Sequence, residues 1–396
     1  MANDVAATSD ELQAYITPRL LRWARLRSRE TVPALAWKLR VDTDKIHAWE
    51  SEKSDEKPSF IQAKKIAKTL HVPFGYLYLS NPPSDELPIP DLRTVATNQR
   101  TPLSPSFMEV LNDALRKQDW YREFRKSQGE EKLPFVGRYD MKTNPDVVAA
   151  DIASTIGIDD ALRFEVANWE GFLSQFIDRC ERQNILVLRN SVVKNDNRRH
   201  LSEKEFRGFA ISDAFAPLIF LNGSDARAAQ IFTLAHELVH LWIGQSGISN
   251  LVLTSKRSNP EIEKYCNAVA AEILVPRDLF NIHWVINKSA EKNLAPLSKR
   301  FRVSNLVILK RAYDFGHISW DVYVRLYRQH ERRYANKNDG GPGFYAVIAG
   351  RSSKRLMANL LASVMEGKTT YRDGAAILAV NPAYLRKIVS NQNSRR

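Results

Sequence analysis

The sequence predicts an α+β protein that is mainly helical, with an N-terminal five-helix unit, a central domain with a small sheet, and a basic helical C-terminal region. Three observations lead there. Apolar residues recur near the helical period through most of the chain. Short apolar runs of strand character are confined to residues 185–222, and prolines crowd residues 81–105. At 396 residues, with 44% hydrophobic and 10% aromatic content, the chain is long enough for two or three globular domains.

The opening MANDVAATSDELQ holds no apolar run, so no signal peptide is expected. Leu12, Tyr15, Ile16, Leu20, Trp23, Ala24 and Leu26 follow a 3.6-residue period. The segments VPALAWKL, TDKIHAWES and SFIQAKKIAKTL are short helices separated by turns at Val41-Asp42 and Lys57-Pro58. Asp42 or Thr43 is placed to cap the third helix and Ser59 the fourth. These elements form a domain over 1–80. Residues 81–105, with Pro82, Pro83, Pro88, Pro90, Pro102 and Pro105, read as a stiff extended linker. Residues 106–184 form a helical connecting region.

A core domain follows over 185–280. Ile185 to Leu188, GFAISD and APLIFLN are its strands, and Asn222-Gly223 is a turn. Asp225 starts the helix DARAAQIFTLAHELVHLWIG, which Gly244 and Gly247 end. A second helix, EIEKYCNAVAAEIL, stops at Pro276. Residues 281–335 and 344–396 are basic helical regions on either side of a flexible hinge, NKNDGGPG, at 336–343.

No apolar run approaches the ~18 residues of a membrane span. Cys180 and Cys266 are the only cysteines, so no disulfide framework is expected and a reduced, cytoplasmic protein is. The net charge is +13, and residues 288–396 alone carry 21 Lys/Arg against 7 Asp/Glu. Such a confined excess is the footprint of a nucleic-acid contact, although a solvated helical surface has the same composition.

His236-Glu237-Leu238-Val239-His240 places two imidazoles on one helix face, where both can grip a zinc ion, with Glu237 placed as general base. A third ligand is needed, and the next helix offers Glu261, Glu263 and Glu272. FTLAHELVH followed by IEKYCNAVAAEILVP closely resembles the ImmA/IrrE family of zinc metallopeptidases, with a zincin-like core. The family pattern sets its ligand glutamate a few residues before Asn-x-x-Ala-Ala-x-x-Leu-x-Pro. Here that is Glu263, and helical phase also separates it from Glu272. Val239 stands where the family commonly has glycine, a change that does not touch the ligands. The strand APLIFLN is expected at the cleft edge, pairing with an extended substrate. No oxyanion donor is assigned; Tyr265, His200 and His283 are the weak candidates.

ALAWKLRVDTDKIHAWESEK carries a small residue (Ala36), then Val41, then Ile46, each five apart, as two helices packed at a sharp turn require. With PSFIQAKKIAKTLHVPFGYL, residues 15–80 resemble the Cro/cI-type (xenobiotic-response-element) helix-turn-helix domain. The resemblance implies base or phosphate contacts from Thr43, Lys45 and His47, and homodimers are common among such domains. Yet residues 1–80 hold 13 Lys/Arg against 10 Asp/Glu, and Asp42, Asp44, Glu50 and Glu52 crowd that helix. Docking on another helix-turn-helix protein or on the chain's own peptidase domain is the alternative. The same spacing recurs at Ser298, Val303 and Ile308, and at Ala375, Val380 and Leu385. It suggests a nucleic-acid surface of Lys299, Arg300, Arg302, Lys310, Arg311, Arg386 and Lys387. GGPGFYAVIAGRSSKRLM resembles the tail of helix-turn-helix/ImmA-IrrE fusion proteins, so the likeness covers nearly the whole chain, and residues 106–180 least.

The resemblance implies a regulatory zinc endopeptidase that cuts a repressor, often itself a small helix-turn-helix protein, under a stress such as DNA damage. The basic third would then sense DNA and license cleavage. The other classes are a DNA-binding regulator with a non-hydrolytic body and a metal sensor built on His236, His240 and Glu263.

Overall fold

A computed structural model describes residues 12–83, 87–92, 103–249, 261–334 and 351–393. The hinge expected at 336–343, the GFYAVIAG segment and positions 93–102 of the proline-rich stretch lie outside them. The fold is α+β and mainly helical, with its small sheet in the central region. The chain divides into two units, residues 1–87 with 101–109, and residues 88–100 with 110–396.

The first unit packs α1 (Pro18–Arg27), α2 (Val32–Leu39), α3 (Thr43–Trp49) and α4 (Phe60–Thr69) with a 3-10 helix (Phe74–Tyr78) where a fifth α-helix was expected. Leu21, Leu35, Ile46, Trp49, Ile66 and Leu77 form its core. Ser59 starts α4 through a capping box with Gln62, contributing about 1 kcal/mol.

In the second unit come α5 (Pro105–Ser127, from Val110 onward), α6 (Pro145–Ile156), α7 (Asp160–Glu165) and α8 (Trp169–Arg182). Strands β1 (Leu186–Asn190), β2 (Val192–Val193), β3 (Asp196–His200), β4 (Gly208–Ile211) and β5 (Leu218–Asn222) precede α9 (Arg227–Trp242). Then follow β6 (Gly247–Ser249), α10 (Glu261–Leu274), α11 (Arg277–His283), α12 (Ala290–Phe301), α13 (Asn305–Asp314) and α14 (Trp320–Tyr334). The C-terminal helices are α15 (Lys354–Met365), α16 (Tyr371–Leu378) and α17 (Pro382–Asn393). One hydrophobic core runs from Phe135 through the sheet and α9 to Leu326, joining the stretches that composition separates at 184 and 280.

The main sheet has the order β1-β5-β4-β6, with β1 parallel to β5 and the other pairs antiparallel. APLIFLN therefore is not the cleft edge: β5 is a central strand, buried at every residue and paired on both sides. The edge beyond β4 belongs to β6. Part of the proline-rich stretch is packed as well. Ile89 is buried, Ile248 N donates to Pro90 O (3.0 Å) and Leu92 N to Ile248 O (3.1 Å), which adds a bridge to the outside of β6.

At each of these three places the five-residue spacing corresponds to the same backbone turn. Arg40, Arg302 and Ala379 end α2, α12 and α16 in the left-handed conformation, at φ 61, 56 and 53°. The next residue, Val41, Val303 or Val380, donates its N–H back to Ala36, Ser298 or Ala375 at 3.1, 3.2 and 2.9 Å. This closes the last helical turn and sends the chain into α3, α13 or α17.

Candidate metal centre

Nearly every residue of α9 is buried, because the helix lies on β4 and β5 and under α6, α8 and α10. Such all-round burial lets a helix be apolar throughout, apart from the side chains the site needs. Its last carbonyls are satisfied from outside: Gly137 N donates to Leu241 O (2.9 Å) and Tyr139 N to Trp242 O (3.1 Å). Trp242 stacks on Phe135 (centroids 4.4 Å) and donates to Asp151 (2.8 Å), which anchors this end of the helix.

On this frame the spacing of four places His236 and His240 one turn apart, with their Nε2 atoms 3.2 Å from each other. Glu263 reaches across from α10, Oε2 at 3.4 Å from His236 Nε2 and Oε1 at 3.4 Å from His240 Nε2. Three ligand atoms bound at ~2.0–2.1 Å to one tetrahedral zinc lie roughly 3.3 Å apart, so this triangle has the size of a zinc face. His236 Nδ1 faces Asn267 Oδ1 at 3.0 Å. An amide oxygen only accepts, so Nδ1 carries the proton and Nε2 offers its lone pair to the centre. Two imidazole lone pairs and a carboxylate converging in a buried chamber form a donor set that fits zinc. Cys266, one helical turn beyond Glu263, completes a buried His236–His240–Cys266 group with ligand atoms within 4.8 Å of one another. Glu263 is the better candidate for the third ligand, since its oxygens lie 3.4 Å from both Nε2 atoms, while burial pushes the Cys266 thiol up.

Glu237 points into the same chamber. One of its oxygens accepts from the Ser249 hydroxyl on β6, and the other is buried without a hydrogen bond among the described residues. Burial raises its carboxyl to about 8; Glu263 adds to this, and His240 and Ser249 oppose it. For Glu263 burial also acts upward, but the imidazoles of His236 and His240 outweigh it and hold the carboxyl near about 2. The two acids are thus pushed apart, one ionised as a ligand and one suited to carrying a proton. A cation on the three ligands would draw Glu237 downward in the same sense as His240.

The other acids on α10 lie elsewhere. Glu261 is exposed, and Glu272 pairs with Arg311 and accepts from Arg277 N (2.8 Å). Tyr265 donates to Thr143 O (2.9 Å), while His200 and His283 are exposed, so none of the three serves the chamber. Sequence reasoning missed Ser249, Cys266 and Gly208. It quoted Asn267 in a motif without a role, although its place four residues after Glu263 was the available signal.

The residues expected on a nucleic-acid surface differ in their exposure. Thr43, Lys45, His47, Lys299, Arg386 and Lys387 are exposed. Lys310 is half-buried and paired with Asp314. Arg311 is buried, bonded to Glu272 and Val275 O, and therefore lies off any surface. Arg302 donates to the carbonyls of Arg163 (3.1 Å), Val166 (2.5 Å) and Ala167 (3.2 Å) at the end of α7. Arg300 pairs with Asp160 (2.9 Å) over the Phe164 ring. These three arginines hold helices together, because a guanidinium beside free helix carbonyls or a buried acid is drawn inward. Among the acids near α3, Glu50 is likewise committed, in a two-pronged pair with Arg25 at 2.6 and 2.7 Å.

No helix among the described residues is long and apolar enough to cross a membrane. No curated protein and no solved structure matches the chain. Residues 180–313, which hold the sheet, α9, α10 and every group of the metal centre, match the peptidase M78 family model, described as the IrrE N-terminal-like domain.

Proposed function

We propose that this protein is a zinc-dependent endopeptidase of the ImmA/IrrE regulatory type. The observation that carries the reading is the triangle of His236, His240 and Glu263, 3.2–3.4 Å on a side, with the unpartnered oxygen of Glu237 beside it. Those three residues would hold Zn²⁺, which when bound supplies Lewis acidity toward water and a scissile carbonyl. Asn267 keeps His236 in the tautomer that binds. Glu237 takes the proton of the attacking water on its free oxygen and returns it to the departing amine.

The substrate we propose is a transcriptional repressor, itself a small helix-turn-helix protein, cut in the cytoplasm under a stress such as DNA damage. The sequence resemblance of residues 15–80 to such domains supports a target of that class. The test is expression of the intact chain beside its Glu237→Gln form, with mapping of new protein N-termini. Cleavage products present with the first and absent with the second, at equal zinc content, support the reading. Equal regulation by both forms would favour a DNA-binding regulator with a non-hydrolytic body.

DNA is the second partner we propose, through α17. Of the helices that follow the three left-handed turns, α17 alone has no acidic residue, and its Arg386 and Lys387 are exposed. Replacing both by alanine should weaken binding to duplex DNA and flatten its salt dependence by about 2 in slope, read by fluorescence anisotropy across salt concentrations.

A further inference from the structure

The chamber that holds the metal centre is closed. His236, Glu237 and His240 are 0% exposed and Glu263 is 2% exposed, a state that no protein substrate can enter. The cover is specific. β4 passes directly beside the general base, since a Cβ at Gly208 would lie 2.9 Å from Glu237 Oε1. An extended substrate reaching Glu237 would have to lie along the outer edge of β4, taking the backbone hydrogen bonds that a bare edge offers.

That edge is filled by the chain itself. β6 pairs antiparallel with β4, setting Ser249 opposite Gly208, Ile248 opposite Phe209 and Gly247 opposite Ala210. Arg207 N donates to Ser249 O (3.2 Å), and the Ser249 hydroxyl donates to Glu237. β6 has only three residues and is held from outside by Pro90 to Leu92. The Leu92 side chain lies on Gly247, where an added Cβ would meet its Cδ1 at 2.3 Å and push it aside. Pro90 O accepts from Ile248 N and Leu92 N donates to Ile248 O, so the segment is bonded to β6 on both sides of Asp91.

We infer that β6, clamped by residues 90–92, occupies the substrate's place on the edge of β4, so that the described state is a latent one that opens when the clamp is withdrawn. The occupant that replaces β6 is an extended segment of the protein substrate. The inference rests on the peptidase reading for its purpose, but closure itself has a readout free of hydrolysis.

Cys266 lies in the chamber and is 0% exposed, while Cys180, also 0% exposed, lies on α8. In the full-length zinc-loaded protein, Leu92→Asp should release the clamp, and Leu92→Ile should keep it. The expected result is maleimide labelling of Cys266 at least tenfold faster in Leu92→Asp, with Cys180 still protected and Leu92→Ile like wild type. The yield of the new N-termini should rise in parallel. Unchanged labelling of Cys266, or equal acceleration at both cysteines, overturns the inference, since the clamp then holds nothing or the fold has simply melted. Faster Cys266 labelling with no new N-termini from any variant leaves the closure standing and removes the peptidase reading.

Discussion

Gly208 on β4 and Glu237 on α9 touch so closely that no side chain fits between them. A Cβ at position 208 would stand 2.9 Å from Glu237 Oε1, 2.6 Å from Thr233 Cγ2 and 3.0 Å from Phe220 O. The last of these is backbone, so the side chains of both Thr233 and Glu237 must give way. Gly208→Ala should therefore displace the general base while leaving the metal ligands in place. The expected outcome is wild-type zinc content by atomic absorption and a melting temperature lowered by overpacking of about 1–3 kcal/mol. Hydrolysis should fall roughly a hundredfold, as expected of a base misplaced by about an ångström.

Two glutamates on α10 make a matched pair. Glu263→Gln removes the anionic ligand that two imidazoles hold near about 2, and zinc stoichiometry after dialysis should drop sharply. Glu272→Ala leaves the metal centre alone but deprives the Arg311 guanidinium, 5% exposed, of its carboxylate, leaving it the Val275 carbonyl and the Phe315 ring. Removing one partner of a buried pair costs about 3 kcal/mol or more. The second variant should thus keep its zinc and lose stability, as urea unfolding would show. A loss of zinc in both would place the third ligand elsewhere.

The attachment of the C-terminal helices carries a pH signature. Glu181 at the end of α8 accepts from the backbone N–H groups of Lys354 (3.1 Å) and Arg355 (3.3 Å), at the start of α15. Burial raises its carboxyl to about 7, with Asp178 adding and Ser353, Arg355 and Lys354 opposing. The folded state thus binds this proton more tightly than the unfolded chain does. Between the unfolded value near ~4.5 and about 7 the native protein carries the extra proton, so stability falls as pH rises through that window and levels off above it. Glu181→Gln should erase the slope. It should resemble wild type near pH 5 and exceed it near pH 8 by about 2–3 kcal/mol, measured by denaturant unfolding at both pH values.

The parts of the site legible in the sequence are those whose partners lie within a helical turn or two. His236 and His240 are joined by a spacing of four, and Glu263 leads Asn267 by the same interval, so helical phase alone aligns each pair. The three left-handed turns were legible for the same reason: a small residue, then valine, then an aliphatic residue mark a local backbone path. Gly208 and Ser249 were not, because what gives them meaning is a strand pairing across some forty positions. A three-residue strand such as Gly247–Ser249 has no periodicity to detect, and β3 is polar and exposed. The central place of β5 escaped notice since a fully apolar run looks alike at an edge and in the middle. Arg302 and Arg311 were counted as surface charge, for composition records a guanidinium but not its direction.

Arg302 and Ala379 share a backbone conformation, φ 56 and 53°, at equivalent points of two turns, and their substitutions by glycine should have opposite effects. The left-handed region costs a residue with a Cβ about 1 kcal/mol, which glycine avoids, against roughly 0.5–1 kcal/mol of added freedom in the unfolded chain. At Ala379 the methyl group has no polar partner to lose, and the bond from Asn195 Nδ2 to its carbonyl (2.7 Å) survives the change. Ala379→Gly should leave the melting temperature level or slightly raised. At Arg302 the same relief is outweighed, since the side chain makes three hydrogen bonds to the carbonyls that end α7. Each charge-assisted bond is worth about 1.5 kcal/mol or more when its acceptors are left buried, so Arg302→Gly should be destabilised by at least about 2–3 kcal/mol. Should calorimetry find both variants equally unstable, the turn itself would depend on its Cβ, and the carbonyl cap on α7 would be incidental.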